Sequence, residues 1–267
     1  MNAFGSMLAG PWNWNPVVFA GCALAAAGVA VKFGRRARWG WLSSAVTVVL
    51  VALVSPLDAL ASGVLFSAHM TQHLLLLLIA PALALLALPE ERDVRVKKRG
   101  GDVGFRRRGI RRILPALGWT AGIGAMWFWH VPVFCDAAAL SPSVRAVQTL
   151  TLLGAGLLFW SPILLPDERR RLGPAAGIAY LFSACVACTA LGILVTLTPV
   201  EVCPAFRIGS PQAAQWAALR ETVGFERDRQ IGGLLMWVPM CSVYVAAILF
   251  ELNRWFGGAR MAEERVL

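Results

Sequence analysis

The chain has 267 residues, of which 58% are hydrophobic and 15% charged, and its mean hydropathy is +0.64. That composition excludes a soluble domain with a charged shell and predicts a membrane-embedded chain. The formal net charge of +10 would suit nucleic acid in a polar chain, but in one this apolar, clustered Lys and Arg mark cytoplasmic loops, so no nucleic-acid partner is expected.

Apolar windows bounded by charge clusters, Pro or Gly predict seven spanning helices near 16–34, 39–55, 63–88, 113–134, 144–165, 175–197 and 231–252. Seven spans at roughly 20 residues each occupy about 140 positions. The chain 1–267 therefore reads as a single all-α, polytopic membrane helix bundle with no room for a sizeable soluble domain. The segment before the first span contains no Lys or Arg and lacks the basic start of a secretory signal, so that span is expected to be retained.

The links alternate in charge. Lys32, Arg35, Arg36 and Arg38 follow the first span, the loop 90–112 carries ten Lys or Arg against four acids, and Arg169, Arg170 and Arg171 follow the fifth span. By contrast, SPLDALAS after the second span carries only Asp58, and the loop 198–230 balances four Arg with Glu201, Glu221, Glu226 and Asp228. The positive-inside rule then places the 90–112 loop in the cytoplasm and the 198–230 loop outside, with the N-terminus outside and the C-terminus inside. Trp12, Trp14, Trp127 and Trp129 are expected as outer interfacial anchors, and Trp39, Trp41, Trp160 and Trp255 as inner ones. The basic loop reads as a solvated orientation signal, with docking to anionic membrane lipid as the alternative.

All three histidines, His69, His73 and His130, fall toward the external half in this topology. His69 and His73 are four apart on the third helix, about 40° around its axis, so both imidazoles face the same way. Ser62 and Gln72 lie near that stripe, whereas Leu74 to Leu88 is apolar, so the outer part of this helix has one polar face that should point into the bundle. Ionisable groups at membrane depth read first as functional, and second as interhelical hydrogen-bonding glue. His130 closes the fourth helix in WFWHVP and converges on the other two if the third and fourth helices are neighbours.

Three neutral imidazoles suit copper or zinc. Met236 and Met240 on the seventh helix, Met70, Cys135 and Cys203 add soft donors that would favour Cu(I). Each has a structural alternative: methionines as packing, with Met70 about 100° away from His69, and Cys135 with Cys203 as a disulfide. Cys185 and Cys188 have CxxC spacing near mid-membrane and read as small-residue helix packing. A bis-histidine haem would need His69 or His73 paired with His130 across helices. No GxSxG, HExxH, P-loop or Rossmann glycine pattern occurs, and no enzymatic activity is expected.

At Ser55 to Pro81 (SPLDALASGVLFSAHMTQHLLLLLIAP), Trp129 to Leu140 (WHVPVFCDAAAL), Gly156 to Pro162 (GLLFWSP) and Gln230 to Pro239 (QIGGLLMWVP), the chain resembles the seven-helix, membrane-integral CtaG-type cytochrome c oxidase assembly factors. The HMxQH segment with its leucine run and the GGLxMWVP segment are the specific parts. The resemblance implies a non-enzymatic role in the bacterial plasma membrane, with a haem-copper oxidase subunit as client and copper delivered or inserted on the external side. A copper permease and a haem- or quinone-binding redox protein are the alternatives. Carried over by position, the family's polar site comprises Asp58, His69, Gln72, His73, His130 and Asp136, with Gly232, Gly233, Met236 and Pro239 shaping the seventh helix. The chain departs from the family where an HxxEH-like pattern precedes GLLFW: here the residues are Arg145, Gln148 and Thr149. An arginine cannot act as a neutral imidazole ligand, so a full two-pair histidine site is absent.

Overall fold

Caps and prolines written into the chain set most helix boundaries. The structure, a computed structural model, describes residues 12–89, 104–167, 170–197, 202–209 and 211–263; most of the basic loop expected at 90–112, and Arg169 and Glu201, lie outside them. Every regular element among the described residues is helical. Helix α1 (Pro16–Phe33) begins with Asn15 Oδ1 accepting from the Val17 amide at 2.9 Å and ends at Gly34. Helices α2 (Trp39–Val54) and α3 (Pro56–Ala61) are split at Ser55, which is extended and whose hydroxyl accepts from the Leu57 amide at 3.2 Å.

Gly63, at φ +75°, makes the turn that a side chain would resist and delivers the chain into α4 (Phe66–Leu86). Residues Leu74–Ile79 of α4 are π-helical. The wide register precedes Pro81, which has no amide to give the Leu77 carbonyl. Gly156 lies against that carbonyl, where any Cβ would collide with it. Next come α5 (Gly104–Trp129) and α6 (Pro132–Leu140), bent by 75° from one another. Val131 between them is extended, as the residue before a proline prefers. The chain closes with α7 (Pro142–Leu164), α8 (Pro174–Leu197), α9 (Ala205–Ile208), α10 (Ala217–Val223) and α11 (Phe225–Glu263).

Helix α4 sits between α2, α7 and α11, while α5 packs on α7 and α8 on α11. The α8–α11 seam is antiparallel and close because small residues face bulk: Gly233 meets Thr196, Gly192 meets Trp237 and Gly177 meets Glu251. Five helices are long and apolar enough to cross a membrane, Pro16–Arg36, Phe66–Leu86, Pro142–Leu164, Pro174–Leu197 and Phe225–Gly257, and the bent α5–α6 pair makes six. The apolar part of α2, Trp39–Leu53, is shorter than the roughly 20 residues a span needs. A helix occupies each of the seven expected intervals, but this one falls short of the length. Exposed Leu24, Leu150, Phe182 and Leu249 give the outer faces of α1, α7, α8 and α11 the apolar surface that acyl chains require.

Three sequence expectations need correction. Ser62 is not on α4; it ends α3 and its hydroxyl binds the Asp58 carbonyl at 2.7 Å. His130 closes the fourth helix as expected, but the expected span 113–134 does not reach residue 134, because the helix stops at Trp129 and the Val131–Pro132 pair bends the chain there. Trp129 and Trp160 are buried in the core rather than placed as interfacial anchors, while Trp12, Trp14, Trp39, Trp41, Trp127 and Trp255 are exposed.

Candidate functional site at the histidine end of the bundle

His69 and His73 lie in the first two turns of α4, both buried, with ring centroids 4.4 Å apart. Their common face follows from the i, i+4 spacing. None of their four ring nitrogens makes a hydrogen bond of standard geometry among the described residues, although the Ala61 backbone lies near His69 and the Gln148 side chain near His73. Buried polar atoms without partners are uncommon and call for an explanation such as a bound ion or water. The Phe206 ring stands 5.3 Å from His69 and 5.7 Å from Phe66, closing the pocket from the side of α9.

His130, at the α5–α6 bend, brings a third imidazole alongside, 5.2 Å from the His73 ring centroid. Its Nδ1 is 2.5 Å from the Met126 carbonyl oxygen and its Nε2 is 3.1 Å from Met70 Sδ. A carbonyl only accepts, so Nδ1 carries the proton, and in the neutral ring Nε2 then presents a lone pair. A thioether sulfur is also an acceptor. Two Lewis bases therefore face one another in a buried pocket, an arrangement that a cation would stabilise. Among the described residues, no three His, Cys, Asp or Glu side chains converge closely enough to hold one metal ion. The His69–His73 pair and the His130–Met70 pair stand side by side rather than as a single three-imidazole set.

Asp58 and Gln72, expected near the ligands, are engaged with Arg145 instead. Arg145 Nη2 donates to Asp58 Oδ1 at 2.8 Å, to the Asp58 carbonyl at 2.9 Å and to Gln72 Oε1 at 3.1 Å. Gln72 Nε2 donates to Asp58 Oδ1 at 3.0 Å and to the Ala52 carbonyl at 2.6 Å, and Asn13 Nδ2 donates to Asp58 Oδ2 at 2.8 Å. The ion pair balances the guanidinium charge beside the histidines, which otherwise would oppose a cation. Gln148 is buried next to this network, while Thr149 is only half-buried.

The pocket is closed by covalent and polar ties. Cys135 of α6 is bonded to Cys203, so its sulfur is not a free thiolate donor. Asp136 is likewise occupied away from the imidazoles: its Oδ1 accepts from the Ala205 amide at 2.8 Å. Arg220 donates to the carbonyls of Phe206 at 2.7 Å and Arg207 at 2.9 Å. Met236 and Met240 are fully buried in the main apolar core. Gly232, one turn before Met236, lets the Phe66 ring lie directly on α11. The thioether that meets an imidazole belongs to Met70, which sequence spacing set aside because it points away from His69; the direction it does point in is toward α5. The contacts of Arg145 with Asp58, Phe206 with His69 and Asp228 with Phe66 were not legible in the sequence, since each joins residues 60 or more positions apart.

Residues 18–257 match the family model of the cytochrome c oxidase caa3 assembly factor, Caa3_CtaG. Neither a curated protein nor a solved structure matches the chain.

Proposed function

The chain belongs to the family of cytochrome c oxidase caa3 assembly factors, and from that premise we propose that it holds copper transiently at its histidine end and passes it to a subunit of the oxidase. The observation that carries this reading is the facing pair of acceptors, His130 Nε2 and Met70 Sδ at 3.1 Å, beside two buried imidazoles whose nitrogens make no hydrogen bond of standard geometry among the described residues. Imidazole and thioether donors suit Cu(I), and a set without a free thiolate suits an ion that must leave again. Copper here is cargo, and the chain's part is to bind, orient and shield it. Phe206 excludes water, and the Asp58–Arg145 pair keeps the surroundings close to neutral.

The topology that goes with this function has seven spans, counting the short α2, with the histidines on the external side of a bacterial plasma membrane. It is supported by the placement of Lys32, Arg35, Arg36, Arg38, Arg170 and Arg171 at the ends of α1, α2, α7 and α8 remote from His69 and His130. Full-length protein in detergent, loaded with Cu(I), is expected to retain copper at this end. His69→Ala combined with His73→Ala should remove about one equivalent, and an unchanged copper content in that variant rejects the site.

A further inference from the structure

The α8–α11 seam holds a second group of soft donors that the histidine end does not use. Cys185 and Cys188 are three apart on α8 and share a face, and Cys241 of α11 lies opposite. Cys185 Sγ is 2.9 Å from Cys241 Sγ, Thr189 Oγ1 is 3.2 Å from Cys241 Sγ, and Cys188 Sγ is 3.7 Å from the Tyr244 hydroxyl. The helices are pinned on both sides of this group, by Gly192 against Trp237 and by Gly177 against Glu251. A core cysteine used only for packing behaves as a small hydrophobe. It does not require a second sulfur at this distance from another helix.

We propose that Cys185 and Cys241 form a two-sulfur site for a soft monovalent cation, Cu(I), within the α8–α11 seam. The identity of the ion rests on the copper reading above; the site rests on the sulfur geometry. Thiol sulfur selects Cu(I) over hard cations. Charge balance sets the protonation state: α8 carries no charged residue, and α11 carries none between Arg229 and Glu251. A net charge at this depth is costly. Cu(I) therefore displaces a single proton, which is released to bulk water, and leaves a neutral complex of one thiolate, one thiol and the ion; no electron is exchanged. At metal–sulfur distances of about 2.3 Å the two sulfurs must part, a change within reach of side-chain torsions.

The test uses the full-length protein with the Cys135–Cys203 disulfide kept and the seam thiols free, loaded with Cu(I) under anaerobic conditions in detergent. Cys185→Ser with Cys241→Ser should remove about one equivalent of copper together with the copper–thiolate part of the X-ray absorption signal, whereas His69→Ala with His73→Ala loses only the histidine-end equivalent and keeps the seam's equivalent and its copper–thiolate signal. If the histidine reading fails and this one holds, the histidine variant loses nothing and the cysteine variant still loses its equivalent. Equal copper content with and without the two thiols overturns the proposal. A second measurement on the unsubstituted chain guards against a misfolded variant: Cu(I) should protect Cys185 and Cys241 from a lipid-permeant maleimide, scored by mass. Equal labelling with and without Cu(I), or a Cys185–Cys241 disulfide persisting in reductant, also overturns it.

Discussion

Asp228, in the first turn of α11, caps the first turn of α4: its Oδ2 accepts from the Phe66 amide at 2.6 Å, and its Oδ1 from the Ser67 amide at 3.1 Å and the Ser67 hydroxyl at 2.5 Å. The residue at the N-cap position, Leu65, has no side-chain acceptor of its own, so a carboxylate 163 positions later satisfies the orphan amides. The helix that carries His69 and His73 is thereby fastened to α11. Asp228→Ala is expected to destabilise the bundle by about 2–3 kcal/mol, as for hydrogen bonds to a charged group, and Asp228→Asn by less. Thermal unfolding in detergent checks this, and equal midpoints for Asp228→Ala and the parent chain would deny the cap its role.

The Asp58–Arg145 pair, with side chains only 14% and 13% exposed, is not the surface type whose contribution is small. Removing one partner strands the other, so Arg145→Gln is expected to cost about 3 kcal/mol. Arg145→Met combined with Asp58→Leu should cost less than the sum of the two single changes, with a coupling of about 1–3 kcal/mol. Additive effects in that double-mutant cycle would show that the two side chains do not depend on each other.

Met70→Leu conserves side-chain volume and should cost under about 1.5 kcal/mol in stability. It removes the soft donor facing His130 Nε2. If the proposed copper site operates, the variant weakens Cu(I) binding about 10-fold or more, the equivalent of roughly 1.4 kcal/mol, at nearly unchanged melting temperature. Competition with a chromogenic Cu(I) chelator reads the ratio, and parent-like affinity would remove Met70 from the ligand set.

The Cys135–Cys203 bond closes a loop of 68 residues, worth about 4 kcal/mol in loop-closure entropy. It also anchors the segment that holds Phe206 against His69. Reduction, or Cys203→Ser, is expected to lower stability and to raise modification of His69 by diethyl pyrocarbonate. Identical modification of oxidised and reduced protein would separate the disulfide from closure of the pocket.

Gly156→Ala forces a Cβ onto the Leu77 carbonyl and the Pro81 ring. Overpacking of this kind costs about 1–3 kcal/mol. The clash falls on the π-helical stretch below His73, so the unfolding midpoint should fall and, if the proposed copper site operates, copper retention should fall with it. A variant as stable as the parent would show that α7 and α4 have room to part.

Hydropathy and charge by themselves determined that the chain is a helical membrane bundle, because every buried backbone group in lipid must be satisfied within its own helix. The four-residue step between His69 and His73 likewise determined a shared face before any fold was known, since it follows from helix geometry alone. Cap chemistry at Asn15 and Ser55 and the bend at Val131–Pro132 are also local, although hydropathy alone runs on across that bend to residue 134. What His130 meets was decided only by the tertiary structure: Met70 Sδ lies 60 positions away and comes to it through the packing of two helices. The same holds for Arg145 on Asp58, Phe206 over His69 and Cys241 against Cys185, because a side chain's direction around its helix is fixed by local geometry, whereas the neighbour it finds there depends on which helices pack together and at what height.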